Sequence, residues 1–226
     1  QRRGAYAEAI VQSGAEICEA LAYAHRKGIH HCDVKPSNVL LTNTGRSLLL
    51  DFNLSRQHGD AAAIIGGTLP YMAPEQLQVL LASHGDHLRQ IDARTDLFAF
   101  GVTMFQTLTG QLPFAAGDPS EAKEVSARRL IDQQRQAENL RGELERVASP
   151  AVAGVVSQCL AFDPDDRPAS AQEVARRLRD DLRAVPRIRR WVRSHRGVVT
   201  AATLVLVLAA CSAGVIFARL PPRHVR

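Results

Sequence analysis

Hydrophobic residues recur with a helical period near the start of the chain. Ile10, Ile17 and Leu21, with alanines between them, mark one face of a helix over residues 5–27. Two short apolar runs follow, at residues 39–41 and 48–50. Asn43-Thr44-Gly45 lies between them as a turn signal, so the pair reads as a β-hairpin. From Pro74 onward the pattern is helical again. Residues 115–148 are rich in Glu, Arg and Gln, with apolar positions at Val125, Leu130, Leu140 and Leu144. This predicts peripheral helices with solvated charged faces. Helices near 150–161 and 169–182 come next, and Pro186 is expected to break the last of them. The expected class is mainly α with one short hairpin, and no internal repeat is visible.

Residues 197–218 break the pattern, with 22 positions and no charge. At about 1.5 Å per residue a helix of this length would cross a hydrocarbon core of about 30 Å. One transmembrane helix is therefore expected there. A run this close to the C-terminus is not a secretory signal.

Charge sharpens that picture. The net charge of +5 is segregated: residues 1–182 hold all 23 acids against 19 Lys and Arg, and residues 183–226 hold nine Arg and no acid. Six arginines precede the apolar run (Arg183, Arg187, Arg189, Arg190, Arg193, Arg196), with Trp191 among them, and Arg219, Arg223 and Arg226 follow it. A basic total beside an apolar run points to a lipid bilayer and not to nucleic acid. The expected order is a basic linker at 183–196, a membrane span at 197–218 and a short tail at 219–226. The arginine excess would place the preceding domain in the cytoplasm and the C-terminus outside, a single-pass membrane localisation. The four cysteines, Cys18, Cys32, Cys159 and Cys211, show neither metal-ligand spacing nor a disulfide framework.

The chemistry is concentrated in His31-Cys32-Asp33-Val34-Lys35-Pro36-Ser37-Asn38. An acid, a lysine and an amide stand at i, i+2 and i+5, just before the first strand. A carboxylate can accept the proton of an attacking hydroxyl, a cation can neutralise a moving phosphate, and an amide oxygen can help to hold a hard metal ion. Thirteen residues beyond Asn38, the second strand delivers Asp51-Phe52-Asn53. Further on come Gly66-Gly67-Thr68-Leu69-Pro70-Tyr71-Met72-Ala73-Pro74-Glu75 and Asp92-Ala93-Arg94-Thr95-Asp96. Phe162-Asp163-Pro164-Asp165-Asp166-Arg167-Pro168 follows near residue 165.

In this order the blocks resemble the C-terminal lobe of eukaryotic-type serine/threonine protein kinases, over residues 6–182. The organisation resembles that of bacterial membrane-anchored kinases, with residues 1–182 as the lobe. The resemblance implies ATP and Mg²⁺ as cofactors and protein Ser or Thr hydroxyls as acceptors. It assigns Asp33 and Lys35 to catalysis, Lys35, Asn38 and Asp51 to nucleotide binding, and Asn38 and Asp51 to the metal. Thr68 would hydrogen-bond near Asp33 and Lys35 and position the substrate. Structural support would come from His31 packed in the catalytic loop, Asp96 bracing that loop, and Glu75 ion-paired with Arg167. Lys35 two residues beyond Asp33, and Thr68 in its Gly-Thr-x-x-Tyr setting, resemble the Ser/Thr and not the Tyr branch.

Three departures change the expectation. Asn53 stands where the family has glycine; Asn is the residue that best tolerates a positive φ. Cys32 replaces the arginine that in many relatives pairs with a phosphate on the activation segment. Between Asp51 and Glu75 the hydroxyl side chains besides Tyr71 are Ser55 and Thr68. Activity is therefore expected not to depend on activation-segment phosphorylation. Finally, no Gly-x-Gly-x-x-Gly occurs, and none of Lys27, Lys35 and Lys123 follows a strand in the order of the kinase N-lobe. The N-lobe is expected to be a missing partner of this chain, a C-terminal piece that alone turns over little. The rival expectation is a non-catalytic membrane-tethered pseudokinase or interaction module. Oligomeric state is not legible from these residues.

Overall fold

The first helix, α1 (Arg2–Arg26), buries Ile10, Ile17 and Leu21 on one face, the period read from the sequence. It stops at Gly28, whose φ of 71° admits the left-handed turn that closes the end. There the Ile29 N–H donates to the Ala24 carbonyl and the Gly28 N–H to that of His25, at 3.0 and 2.9 Å. Here and below, the computed structural model describes residues 2–52, 68–82, 91–115, 117–118 and 120–194.

After a 3₁₀ turn at Pro36–Asn38, strands β1 (Val39–Leu41) and β2 (Ser47–Leu49) pair antiparallel, with Val39 opposite Leu49 and Leu41 opposite Ser47. The second strand begins one residue earlier than its leucines suggest, because Ser47 carries the ladder to Leu41. Leu40, Leu41, Leu48 and Leu50 stay exposed. A second 3₁₀ turn (Leu69–Tyr71) leads into α2 (Pro74–Leu81). Next comes α3 (Ala93–Thr109), capped by the Asp92 carboxylate on the Arg94 N–H at 2.7 Å and closed at Gly110 with φ 81°. Helices α4 (Lys123–Arg135), α5 (Leu140–Glu145), α6 (Pro150–Cys159) and α7 (Ala171–Ser194) complete the described residues.

The core is built around α3, which is buried along most of its length. Phe98, Phe100, Phe105, Leu97 and Met104 are fully buried, each worth about 1.5–3 kcal/mol of burial. α1 packs on one side of it and α6 on another. Gly101 permits the second contact, since a Cβ there would lie 3.0 Å from Cys159 Cβ and 3.1 Å from the Leu160 side chain. Asp96 at the start of this helix is therefore anchored at the edge of the packed core and is itself fully buried.

Four sequence expectations need correction. The membrane part of the fold class is overturned: among the described residues no helix is long and apolar enough to cross a membrane. Residues 197–218 themselves lie outside the described residues, as does Cys211. The break at Pro186 is absent, and the backbone stays helical from Ala171 to Ser194. An interior proline removes one backbone hydrogen bond, and the Arg, Leu and Ala around it are good helix formers that keep the rest. Val125 is exposed while Leu130 and Leu144 are buried. The apolar face of α4 turns on Ala127, Leu130 and Ile131 instead. The last helix starts at Ala171 and not at residue 169.

The chain divides into two units, Gln1–Leu182 and Arg183–Arg226, and the core belongs to the first.

Candidate active site

The catalytic loop hangs from one buried carboxylate. Asp96 Oδ2 accepts from the His31 N–H at 2.8 Å and Oδ1 from the Cys32 N–H at 2.7 Å. His25 Nε2 lies 2.8 Å from Oδ2. Burial raises the Asp96 pKa, but the hydrogen bond and charge of His25 and the two backbone N–H groups outweigh it and hold the carboxyl below its ordinary value. A depressed carboxyl stabilises the fold above its unfolded pKa, near 3.8, and loses that contribution as pH falls through the lower folded value. Acid unfolding followed by circular dichroism should therefore be steeper below pH ~4 in the wild type than in Asp96→Asn. Equal slopes would refute the brace as an acid-labile element.

Pinned by its N–H, Cys32 adopts φ 63°. Beyond this turn Asp33 meets Thr68 directly. Asp33 Oδ1 accepts from the Thr68 N–H and Oγ1, both at 3.1 Å. Lys35 Nζ sits 2.6 Å from Asp33 Oδ2 and donates to Thr68 Oγ1 at 2.7 Å. Asn38 Nδ2 donates to the Asp33 carbonyl at 2.9 Å and to Oδ2 at 3.3 Å. Asp33, Lys35, Asn38 and Thr68 thus form one network around a single carboxylate, with Asp33 and Asn38 buried.

The hairpin supplies the other side. Leu50, just past β2, donates its N–H to the Asn38 carbonyl at 2.8 Å and accepts from His31 Nε2 at 2.8 Å. His31 Nδ1 in turn accepts from the Asp33 N–H at 3.3 Å, which assigns the neutral Nε2–H tautomer. The next residue, Asp51, is exposed and sits at φ 60°. Phe52 stacks edge-on against His31 with centroids 4.6 Å apart. The residue that carries Asp51 is in this way tied to both Asn38 and the catalytic loop. Asn53, Ser55, Gly66 and Gly67 lie outside the described residues.

A second ion pair locks the rear of the site. Arg167 binds Glu75 through both guanidinium nitrogens, at 2.7 and 2.9 Å. Thr95 Oγ1 donates to the same carboxylate at 2.7 Å. Arg167 also donates to the carbonyls of Ala161, Phe162 and Arg94 and lies over the Phe98 ring. Both members are 3% exposed, and these extra donors and acceptors leave neither charge unmatched.

Three residues were not singled out by the sequence. His25 on the last turn of α1 touches Asp96, Thr95 touches Glu75, and Gln76 bridges Cys32 and Ala73. Only their spacing could have hinted at this; His25 lies six residues before His31 and Gln76 directly follows Glu75.

Among the described residues, no three His, Cys, Asp or Glu side chains gather as a metal cage. The donor set present is one amide oxygen and one carboxylate. Asn38 commits its amide nitrogen to Asp33, which leaves the hard oxygen as its remaining donor. Two oxygen ligands, with the remaining positions left to phosphate and water, fit Mg²⁺.

The protein kinase domain family matches residues 1–178. A probable serine/threonine-protein kinase of Streptomyces coelicolor is 34% identical over 165 residues, covering 70% of this chain and 22% of the relative. The serine/threonine-protein kinase PknB of Mycobacterium tuberculosis is 32% identical over 191 residues, covering 81% of the chain and 26% of that protein. PknJ of the same organism is 35% identical over 168 residues, covering 71% and 26%. The chain therefore spans about a quarter of the length of the curated relatives it matches. With the loop, hairpin and ion pair in this arrangement and the family match over residues 1–178, the chain belongs to the protein kinase family and is similar to its bacterial serine/threonine members.

Proposed function

We propose that this chain carries the catalytic-loop half of a serine/threonine protein kinase that transfers the γ-phosphoryl group of ATP to a protein hydroxyl. The observation that carries the reading is the shared network of Asp33, Lys35, Asn38 and Thr68. Asp33 Oδ1 is the acceptor nearest Thr68, so a substrate hydroxyl seated beside Thr68 would donate to it and hand over its proton as the new O–P bond forms. The bond from the γ-phosphorus to the bridging oxygen breaks, and ADP leaves with that electron pair. Lys35, now held between Asp33 and Thr68, has the reach to follow the transferring phosphoryl. Asn38 and Asp51 would hold Mg²⁺, which when bound neutralises charge on the phosphate oxygens. Lys35 and Thr68 support Ser or Thr as the acceptor.

The test is transfer of labelled phosphate by the full-length gene product to a protein acceptor, beside Asp33→Asn, followed by phosphoamino-acid analysis. Phosphoserine or phosphothreonine in the wild type alone supports the reading. Equal label in both proteins, or phosphotyrosine, overturns it.

Cys32 bears on regulation. It is buried and groups with Ile91 and Val79 in a small apolar cluster, so residue 32 offers no cation to a phosphate. Phosphatase treatment of the full-length gene product should leave its activity within about twofold. A loss of tenfold or more would refute this.

A further inference from the structure

Gln76 is 1% exposed, and both ends of its amide are engaged. Oε1 accepts from the Ala73 N–H at 3.0 Å and Nε2 donates to the Cys32 carbonyl at 3.2 Å. The two partners fix the orientation, since only the oxygen can accept from an N–H and only the nitrogen can donate to a carbonyl. Ala73 is the residue before α2, five beyond Thr68. Cys32 is the residue before Asp33. The Cys32 carbonyl and the Asp33 N–H lie in one rigid peptide plane, so holding the oxygen sets the plane from which Asp33 projects. Asp96 holds the same residue from the other side, through its N–H. Cys32 is thus gripped at donor and acceptor while it sits at φ 63°.

We propose that Gln76 is a positioning residue of this site, a neutral clip that fixes the Cys32–Asp33 peptide plane and ties it to the segment carrying Thr68. Its catalytic consequence rests on the kinase reading above; its structural consequence does not. The clip needs an acceptor and a donor on one planar group. Asparagine is too short to reach both partners. Glutamate keeps the size and the acceptor but sets a carboxylate oxygen against the Cys32 carbonyl. A protonated glutamate regains an O–H donor, and burial favours that form.

Two variants test this, Gln76→Glu and the apolar Gln76→Met, each checked for native circular dichroism. The first readout is backbone hydrogen exchange at residues 31–33 in the purified chain, taken as a ratio to wild type at each pH. The second is kcat and KM in the full-length gene product. The titratable or charged groups on the elements that meet at the clip are His31, Cys32, Asp33 and Lys35 on the loop, Glu75 with its partner Arg167, and Asp96 with His25; all are common to the three proteins, and Gln76→Met, which adds no titrating group, is the reference for shifts among them. At pH 8, both variants should exchange about tenfold faster at these residues and lose about tenfold in kcat, with KM for ATP held within about twofold. Lowering the pH should restore Gln76→Glu and leave Gln76→Met impaired. Wild-type behaviour in both variants, or identical behaviour of the two at every pH, overturns the clip. The exchange readout answers whether or not the protein transfers phosphate, so failure of the clip and failure of the kinase reading are separate results.

Discussion

Asp33→Asn should lower phosphoryl transfer by about 10²–10⁴-fold while leaving the lobe folded. The change is isosteric, so the packing of the loop has no reason to move. Two things are lost together. The amide has no basicity with which to take the hydroxyl proton. It also presents an NH₂ group where the carboxylate now receives only donors. Oδ1 meets Thr68 twice, and Oδ2 meets Lys35 and Asn38. An Asn can satisfy one of those sides as acceptor and must set donor against donor on the other. The brace through Asp96 acts on the backbone of residues 31 and 32 and does not depend on the Asp33 side chain. Initial rates should therefore collapse while the melting temperature shifts by only a few degrees. Transfer at more than a tenth of the wild-type rate would remove Asp33 from its role.

Arg167→Ala should be strongly destabilising, at about 3–5 kcal/mol. Truncation leaves Glu75 buried with its charge unmatched, held among the described residues by Thr95. It also removes the donors to the carbonyls of Ala161, Phe162 and Arg94, and the guanidinium over Phe98. For a lobe of this size, about 2–4 °C per kcal/mol turns that loss into a melting shift of roughly 10 °C. The pair itself is worth less than its breakage, because the two charges gave up hydration to be there. Glu75→Gln with Arg167→Met should therefore be more stable than Arg167→Ala alone. Thermal unfolding of the three proteins settles the matter. A double variant no better than the single one would mean that Arg167 acts through its carbonyl contacts and not through the charge of Glu75.

Most of the site could be seen in the sequence because its members are close in sequence and chemically distinctive. Asp33, Lys35 and Asn38 fall within six residues, and their spacing alone places them on one loop. Glu75 and Arg167 are 92 residues apart, and their pairing came from family resemblance and not from pattern. The contacts that escaped were those of residues with ordinary neighbours. His25 looks like any polar residue at the end of an amphipathic helix, and Gln76 like any residue in the first turn of one. Nothing local tells that one meets the Asp96 brace and the other the Cys32 carbonyl. The helix through Pro186 was missed because the rule for proline weighs one hydrogen bond and one clash, and the gain of the flanking helix formers was larger. Val125 misled for a related reason. In a charged, peripheral helix a single apolar position does not define a face, and the true face used an alanine.

Asp96 grips His31 and Cys32 by their backbone N–H groups and reads neither side chain. Position 32 therefore answers two separate demands, the brace on its backbone and the packing around its side chain. A residue that stands there must have an N–H, accept φ 63° and fit the buried apolar cluster with Ile91 and Val79, which excludes proline and disfavours the β-branched residues. A small apolar side chain can in this way replace Cys32 and change what lines the cluster with Ile91 and Val79, while the brace under the loop stays as it is.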